Sequence, residues 1–359
     1  MSYPLVKLPR LELLELALIS FPLMLASHFL GAPPLLSFAL AIISIIALAS
    51  KMGQATEDLA HHFGSNMGGF LNATFGNAAE FIIAIIAIRA GLLELVKASL
   101  TGSIIGNMLF VIGASFLMGG FKFREQRFNI RAAGLNSTML LIGVSSMMVP
   151  SAFFFFAGNI PGHNIPFEAE ELSLFVSILL VALYLLSLLF SFHTHSYLFR
   201  TSTKGEAKMS RNFALFLLLL VTACLAVTSE IFTQHVEAAT ASLGFSELFM
   251  GAIVIALVGN AAEHLSAVKA AQQNNIDLAL SITVGSSIQI AIFIAPLLVL
   301  ASYLMGTPMD LVFSLFELLA VFCAVLIVNE ISSDGICNWF EGAQLLVMYL
   351  ILAGLFFFI

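Results

Sequence analysis

Apolar residues in this chain fall in long, nearly unbroken blocks separated by short polar stretches. A helix that crosses a bilayer needs about 17–25 mostly apolar residues. Eleven blocks qualify, at residues 11–30, 34–50, 67–90, 98–118, 132–157, 172–192, 213–232, 248–271, 278–303, 311–328 and 343–359. Helices are required because an open strand would leave its backbone groups unpaired in hydrocarbon. The predicted fold is therefore all-α, a polytopic membrane protein with eleven transmembrane helices.

Composition agrees. Of 359 residues, 60% are hydrophobic and 10% charged, with a mean hydropathy of +1.03. Soluble domains carry about 25% charged residues, so a water-soluble globule is excluded. The net charge of −7 says little by itself, and no basic face suggests a nucleic-acid partner. Cys224, Cys323 and Cys337 show neither ligand-like nor disulfide-like spacing and read as small hydrophobes. The first block lacks a small-residue cleavage signature and reads as a retained span.

Orientation follows the basic residues. With the N-terminus in the cytosol, 12 of the 14 Lys and Arg fall on the inner side, and Arg89 and Lys97 on the outer. The expected topology is N-terminus inside, C-terminus outside.

One period dominates. Gly76-Asn77-Ala78-Ala79-Glu80 recurs in the second half as Gly259-Asn260-Ala261-Ala262-Glu263. At the same offset Gly102-Ser103-Ile104-Ile105-Gly106 faces Gly285-Ser286-Ser287-Ile288-Gln289. Each copy holds five predicted spans. An odd number makes the second copy enter the membrane from the opposite side, the inverted-repeat plan of many secondary transporters, whose site lies at the midplane between repeats. The expected organisation is an extra N-terminal helix (1–32), a first five-helix repeat (33–195), a basic cytosolic linker (196–211) and a second five-helix repeat (212–359).

Glu80 and Glu263 fall near the middle of predicted spans, where an acidic side chain costs about 2.5–3.5 kcal/mol on insertion scales. Asn77 and Asn260 precede them by three, so each pair shares a helical face. Thr74 extends the first stripe and Ser266 the second. Carboxylate, amide, hydroxyl and backbone oxygens make a hard-oxygen site suited to Ca²⁺, and no sulfur or imidazole cluster competes for a softer metal. Ser103, Ser286 and Gln289 are the preferred further liners because they lie inside the repeated motif. Ser99, Asn107 and Ser287 could line the site or join helices.

His264 follows Glu263 directly. It could tune the Glu263 proton or bond a neighbouring carbonyl. Glu57 and Glu230 end the second and seventh predicted spans, as cation-gathering mouth residues or as solvated helix ends. His61 and His62 belong to the same wet end as Glu57. Glu317 lies deep in the tenth span without an assigned role.

At these motifs the chain resembles the cation/proton exchanger family of calcium antiporters, the CAX type. The matching text includes ATEDLAHHFG (55–64), LNATFGNAAEFIIAI (71–85), GSIIGNMLFVIG (102–113), VGNAAEH (258–264), GSSIQIAIFIAP (285–296) and SDGICNWFEG (333–342). The resemblance implies eleven spans, two inverted repeats and Ca²⁺ moved out of the cytosol against protons, with Ca²⁺ as transported substrate rather than cofactor. The family's glutamates map onto Glu80 and Glu263. The joint between the repeats is basic, whereas many members carry an acidic helix there, so that helix's regulatory cation site is not expected. The compact chain fits a prokaryotic cell-membrane member, and self-association stays open. A sodium- or potassium-coupled Ca²⁺ exchanger on the same fold is the alternative. An intramembrane hydrolase is disfavoured by the lack of a His-Glu-x-x-His pair, and a channel by the paired acidic repeat.

Overall fold

The computed structural model describes residues 15–157, 164–194 and 207–359, with side chains described except at 64–74 and 192. The start of the first predicted span and most of the linker lie outside the described residues.

Helices follow in the order α1 (Ser20–Phe29), α2 (Pro34–Phe75), α3 (Ala78–Arg89), α4 (Leu93–Gly120), α5 (Ile130–Ala157) and α6 (Ile165–Leu189). Then come α7 (Arg211–Leu243), α8 (Glu247–Gly259), α9 (Ala261–Gln272), α10 (Ile276–Met305), α11 (Leu315–Ile331) and α12 (Trp339–Phe358). A two-residue antiparallel ladder, β1 (Gln126–Arg127) with β2 (Ile336–Cys337), ties the α4–α5 and α11–α12 connections together.

Local chemistry sets several ends. Ser210 caps α7 by accepting from the Phe213 N–H, and Gly244 ends that helix at φ 69°, where a side chain would be strained. Capping boxes open α11 (Ser314 with Glu317) and α12 (Asn338 with Glu341). Wider π-type turns interrupt α4 at Gly106–Val111, α8 at Met250–Ile255 and α10 at Ile290–Ile294.

Among the described residues, seven helices are long and apolar enough to cross a bilayer, or eight if α8 and α9, bent by 62°, form one broken span. Length and composition alone thus yield fewer than the eleven spans expected. Part of the difference lies in α2. The polar stretch after residue 50, beyond the second predicted span, is helical, with Met52, Ala55, Thr56 and Leu59 buried along one face and Gly53 and Glu57 outward. That i, i+3, i+4, i+7 stripe lets a polar segment stay helical by packing.

Element bounds repeat at the spacing of the motif. Ala78 opens α3 and Ala261 opens α9, while Leu93 opens α4 and Ile276 opens α10, each pair separated by the same offset as Glu80 and Glu263. The apolar interior falls into two clusters. One joins α1, α2 and α7 through residues such as Met24, Ile45, Leu225 and Phe232, with Phe38 stacked on Phe232 at 5.1 Å between ring centres. The other joins α4–α6 to α10–α12. Helix α3 feeds both, through Ala79 and Ile83 on one side and Ala84, Ala87 and Ile88 on the other.

Candidate ion site at the two helix breaks

The repeated motif breaks two helices. Asn77 stands between α2 and α3 at φ −99°, ψ 21°, and Asn260 between α8 and α9 at φ −93°, ψ 4°. Both sit in the sparsely populated bridge region, where active-site residues recur. Asparagine at a helix start usually turns its side chain back to cap the helix. Neither does so here. Both amides reach across to the other half.

Asn77 Nδ2 donates to Gln289 Oε1 at 2.6 Å, and Ser286 Oγ donates to Asn77 Oδ1 at 2.8 Å. In the other half Asn260 Nδ2 donates to Ser103 Oγ at 2.9 Å and to the Ala256 carbonyl at 2.9 Å. Asn260 is the repeat counterpart of Asn77, and Ser286 that of Ser103. Asn77–Ser286 and Asn260–Ser103 are therefore one residue pairing made twice with the halves exchanged, the serine donating in the first and accepting in the second. All four residues are buried.

Glu80 and Glu263 occupy the first turns of α3 and α9. They stand close enough to feel each other's charge, and Ser286 lies within hydrogen-bonding reach of Glu263. Glu80 extends over Gly259, the glycine of the opposite motif. Three shielded oxygens, Glu80 Oε1, Glu263 Oε2 and Asn260 Oδ1, have no donor among the described residues. Helix N-termini favour the two anions.

The site thus gathers Asn77, Glu80, Ser103, Asn260, Glu263, Ser286 and Gln289. The halves differ beside it. The buried His264 places Nε2 3.2 Å from Asn107 Oδ1, so its ring nitrogen donates to an amide oxygen. Asn107 Nδ2 is left without an acceptor among the described residues. The repeat counterparts of His264 and Asn107 are Phe81 and Ile290, so this pair has no twin.

Other expectations move. Ser266 is exposed and bonds the Ala262 carbonyl of its own helix, because position 266 turns away from the break. Ser99 likewise bonds Val96 in its own helix, Ser287 is buried, and Thr74 lies among the undescribed side chains. Glu57 and Glu230 are both exposed, but neither ends a helix. The α2 and α7 helices run past them because their buried faces continue to pack, and Glu230 accepts from Gln234 at 3.3 Å. His62 bonds the Met209 carbonyl at 2.7 Å, and Asp58 accepts the Lys208 N–H at 2.6 Å, pinning the end of the linker to α2. Cys337 is buried, while Cys224 and Cys323 are partly exposed, all three as free thiols.

Two residues acquire roles the sequence did not assign. Glu317 closes the α11 capping box and accepts Thr101 Oγ1 from α4 at 2.9 Å. Lys97, expected on the outer side, is buried and spends its ammonium on Glu94 (2.6 Å), Asp310 (3.1 Å) and the Val312 carbonyl (2.9 Å). Its acidic partner across the halves was invisible in linear spacing.

A helical membrane protein whose two like halves meet at a buried, hard-oxygen acidic site has the build of a cation exchanger. The chain belongs to the sodium/calcium exchanger protein family, which it matches over residues 33–193 and 213–358. It is 44% identical to a Ca²⁺/H⁺ antiporter of Synechocystis over 95% of this chain and 96% of the relative. To the Ca²⁺/H⁺ antiporter ChaA of Bacillus subtilis it is 43% identical, over 94% of this chain and 96% of the relative. Among solved structures, native YfkE superposes with a TM-score of 0.83 at 40% identity, covering 96% of this chain and all of the other. The motif-level likeness to CAX-type antiporters is borne out by these relatives.

Proposed function

We propose that this protein exchanges Ca²⁺ for protons across a membrane, with Glu80 and Glu263 as the shared seat of both. One observation carries the reading: three shielded acceptor oxygens, drawn from both helix breaks, have no donor among the described residues. Buried acceptors without partners are costly, and either a divalent cation or protons on the carboxylates would satisfy them. Ca²⁺ takes about 6–8 oxygens, and Asn77, Asn260, Ser103, Ser286 and Gln289 offer side-chain oxygens beside the two carboxylates. The antiporters among the relatives support the same pair of ions.

Exchange follows from charge. Ca²⁺ neutralises both carboxylates, and so do two protons. An unloaded pair would carry two uncompensated charges through a low-dielectric interior, which is expensive enough to trap it. Only loaded carriers then change the side they face, giving obligatory exchange rather than leak. His264, held by Asn107, would relay the proton beside Glu263, while Glu57 and Glu230 on the long helices would gather cations at the mouths.

The same reading sets the frame. Eleven transmembrane helices form an extra helix (1–32) and two inverted five-helix repeats (33–195 and 212–359), joined by a cytosolic basic linker (196–211). The N-terminus faces the cytosol and the C-terminus the outside. Ca²⁺ uptake into inverted vesicles tests the function. A pH gradient alone should drive uptake, and its collapse should abolish it. Uptake that needs sodium or potassium instead would hand the site to an exchanger coupled to those ions.

A further inference from the structure

Away from the ion site, two histidines meet at the edge of the fold. His28 sits in the last turn of α1, and His235 lies in the final third of α7. His28 Nδ1 and His235 Nε2 are 3.2 Å apart, with ring centres at 5.4 Å and planes crossed at 77°. Both side chains are half-buried. In the free protein one ring nitrogen must donate to the lone pair of the other.

We infer that His28 and His235 form a two-imidazole site for a borderline divalent transition cation such as Zn²⁺, separate from the carboxylate site. Zn–N bonds are about 2.0–2.1 Å in tetrahedral geometry, which places two imidazole nitrogens on one ion about 3.3 Å apart. The observed separation already matches that bite, and turning each ring so that its lone pair leaves the N···N line would bring both nitrogens onto one ion. Neutral imidazole suits Zn²⁺ and Cu²⁺ and is a poor ligand for Ca²⁺. Among the described residues no third His, Cys, Asp or Glu joins the pair. Water completes the coordination, and affinity is correspondingly modest.

Placement gives the site a consequence. Ser20 and Ser27 already tie α1 to α2 by hydrogen bonds to Ser44 (2.8 Å) and Ser37 (3.0 Å). The histidine pair ties the same helix to α7. A bound metal would therefore clamp α1 to both long helices. From Arg211, where α7 starts, the helix rises about 36 Å before it reaches His235. That puts the pair at the membrane face opposite the linker.

The test is Zn²⁺ titration of the purified full chain by calorimetry at pH 7.5, comparing wild type with His28→Ala, His235→Ala and His28→Gln. One binding event should weaken by about tenfold or more in each variant, while elution profile and thermal melting stay as in wild type. A Zn²⁺ isotherm unchanged by all three overturns the site. Cu²⁺ paramagnetic resonance gives a second readout, expected to show two coordinating nitrogens in wild type and fewer in the variants. A two-nitrogen signal that survives the substitutions belongs to other histidines and equally overturns it. Both measurements read metal binding, not transport, so their failure leaves the Ca²⁺/H⁺ reading untouched.

Discussion

Glu80 packs on Gly259: a methyl group placed on that glycine would stand 3.2 Å from Glu80 Cγ. A carboxylate from one half is thus seated on the backbone of the opposite motif, and the missing side chain makes the room. Gly259→Ala should leave the fold intact, because Glu80 can yield by a few tenths of an ångström. The shift falls on a proposed ligand, however, and metal sites tolerate only small errors in ligand distance. Ca²⁺ affinity should drop several-fold in vesicle uptake assays at matched protein levels. Unchanged affinity would mean that Glu80 is not held against the ion.

Gly102 offers the contrasting case. A Cβ there would run into the Ala252 backbone, carbonyl oxygen included, where α4 crosses α8. Backbone cannot step aside as a side chain can, so Gly102→Ala should separate two tightly packed helices. Loss of monodisperse protein in detergent is the expected outcome. Normal yield with normal melting would show that the crossing has slack.

Glu80→Gln and Glu263→Gln should each abolish exchange. Glutamine keeps the shape and one acceptor oxygen but carries no charge and titrates no proton, so neither load can neutralise the site correctly. Exchange near the wild-type rate by either variant, at normal membrane levels, would remove that carboxylate from the mechanism.

The two asparagines should not behave alike. Asn77 Oδ1 already accepts from Ser286, whereas Asn260 Oδ1 has no donor among the described residues and is the freer acceptor. Asn260→Ala should therefore weaken Ca²⁺ affinity more than Asn77→Ala, with some transport remaining in both. The Asn77 substitution should act mainly by releasing Ser286 and Gln289. Equal effects on affinity would place both amides in the same role.

Much of this site was legible in the sequence because duplication writes itself twice. The constant offset between the two copies singled out Asn77, Glu80, Ser103 and their later counterparts without any structure. What the offset could not show is which side chains meet across the halves. Asn77 finds Gln289, but the corresponding place in the first half is Gly106, so half of that contact has no twin to reveal it. Helix α2 was misjudged for a different reason. Hydropathy reads the lipid-facing spans, whereas residues 51–59 stay helical through one buried stripe, visible only once its packing partners are placed. Glu317 looked like a buried charge seeking a function, and Ser314 and Thr101 occupy its oxygens instead.

If two ions share one pair of carboxylates, as proposed, a dependence on pH follows. Ca²⁺ binds the ionised pair, and each proton taken up removes a charge that the ion needs. Proton binding and Ca²⁺ binding are therefore linked with opposite sign, and apparent Ca²⁺ affinity must fall as pH falls on the side where Ca²⁺ loads. The same linkage requires that Ca²⁺ binding release protons, more of them at a pH where the empty site is still protonated. Purified protein titrated with Ca²⁺ between about pH 5.5 and 8.5, in two buffers of different ionisation enthalpy, measures both quantities at once; unperturbed carboxylates titrate near 4 and would leave that range flat. Glu80→Gln should remove part of the proton release and Glu263→Gln another part, while His264→Gln should change the rate of exchange more than the number of protons released. Affinity flat across the range, with no proton release in wild type, would mean that protons are not exchanged at Glu80 and Glu263. The coupling ion would then be sodium, potassium or a proton bound elsewhere.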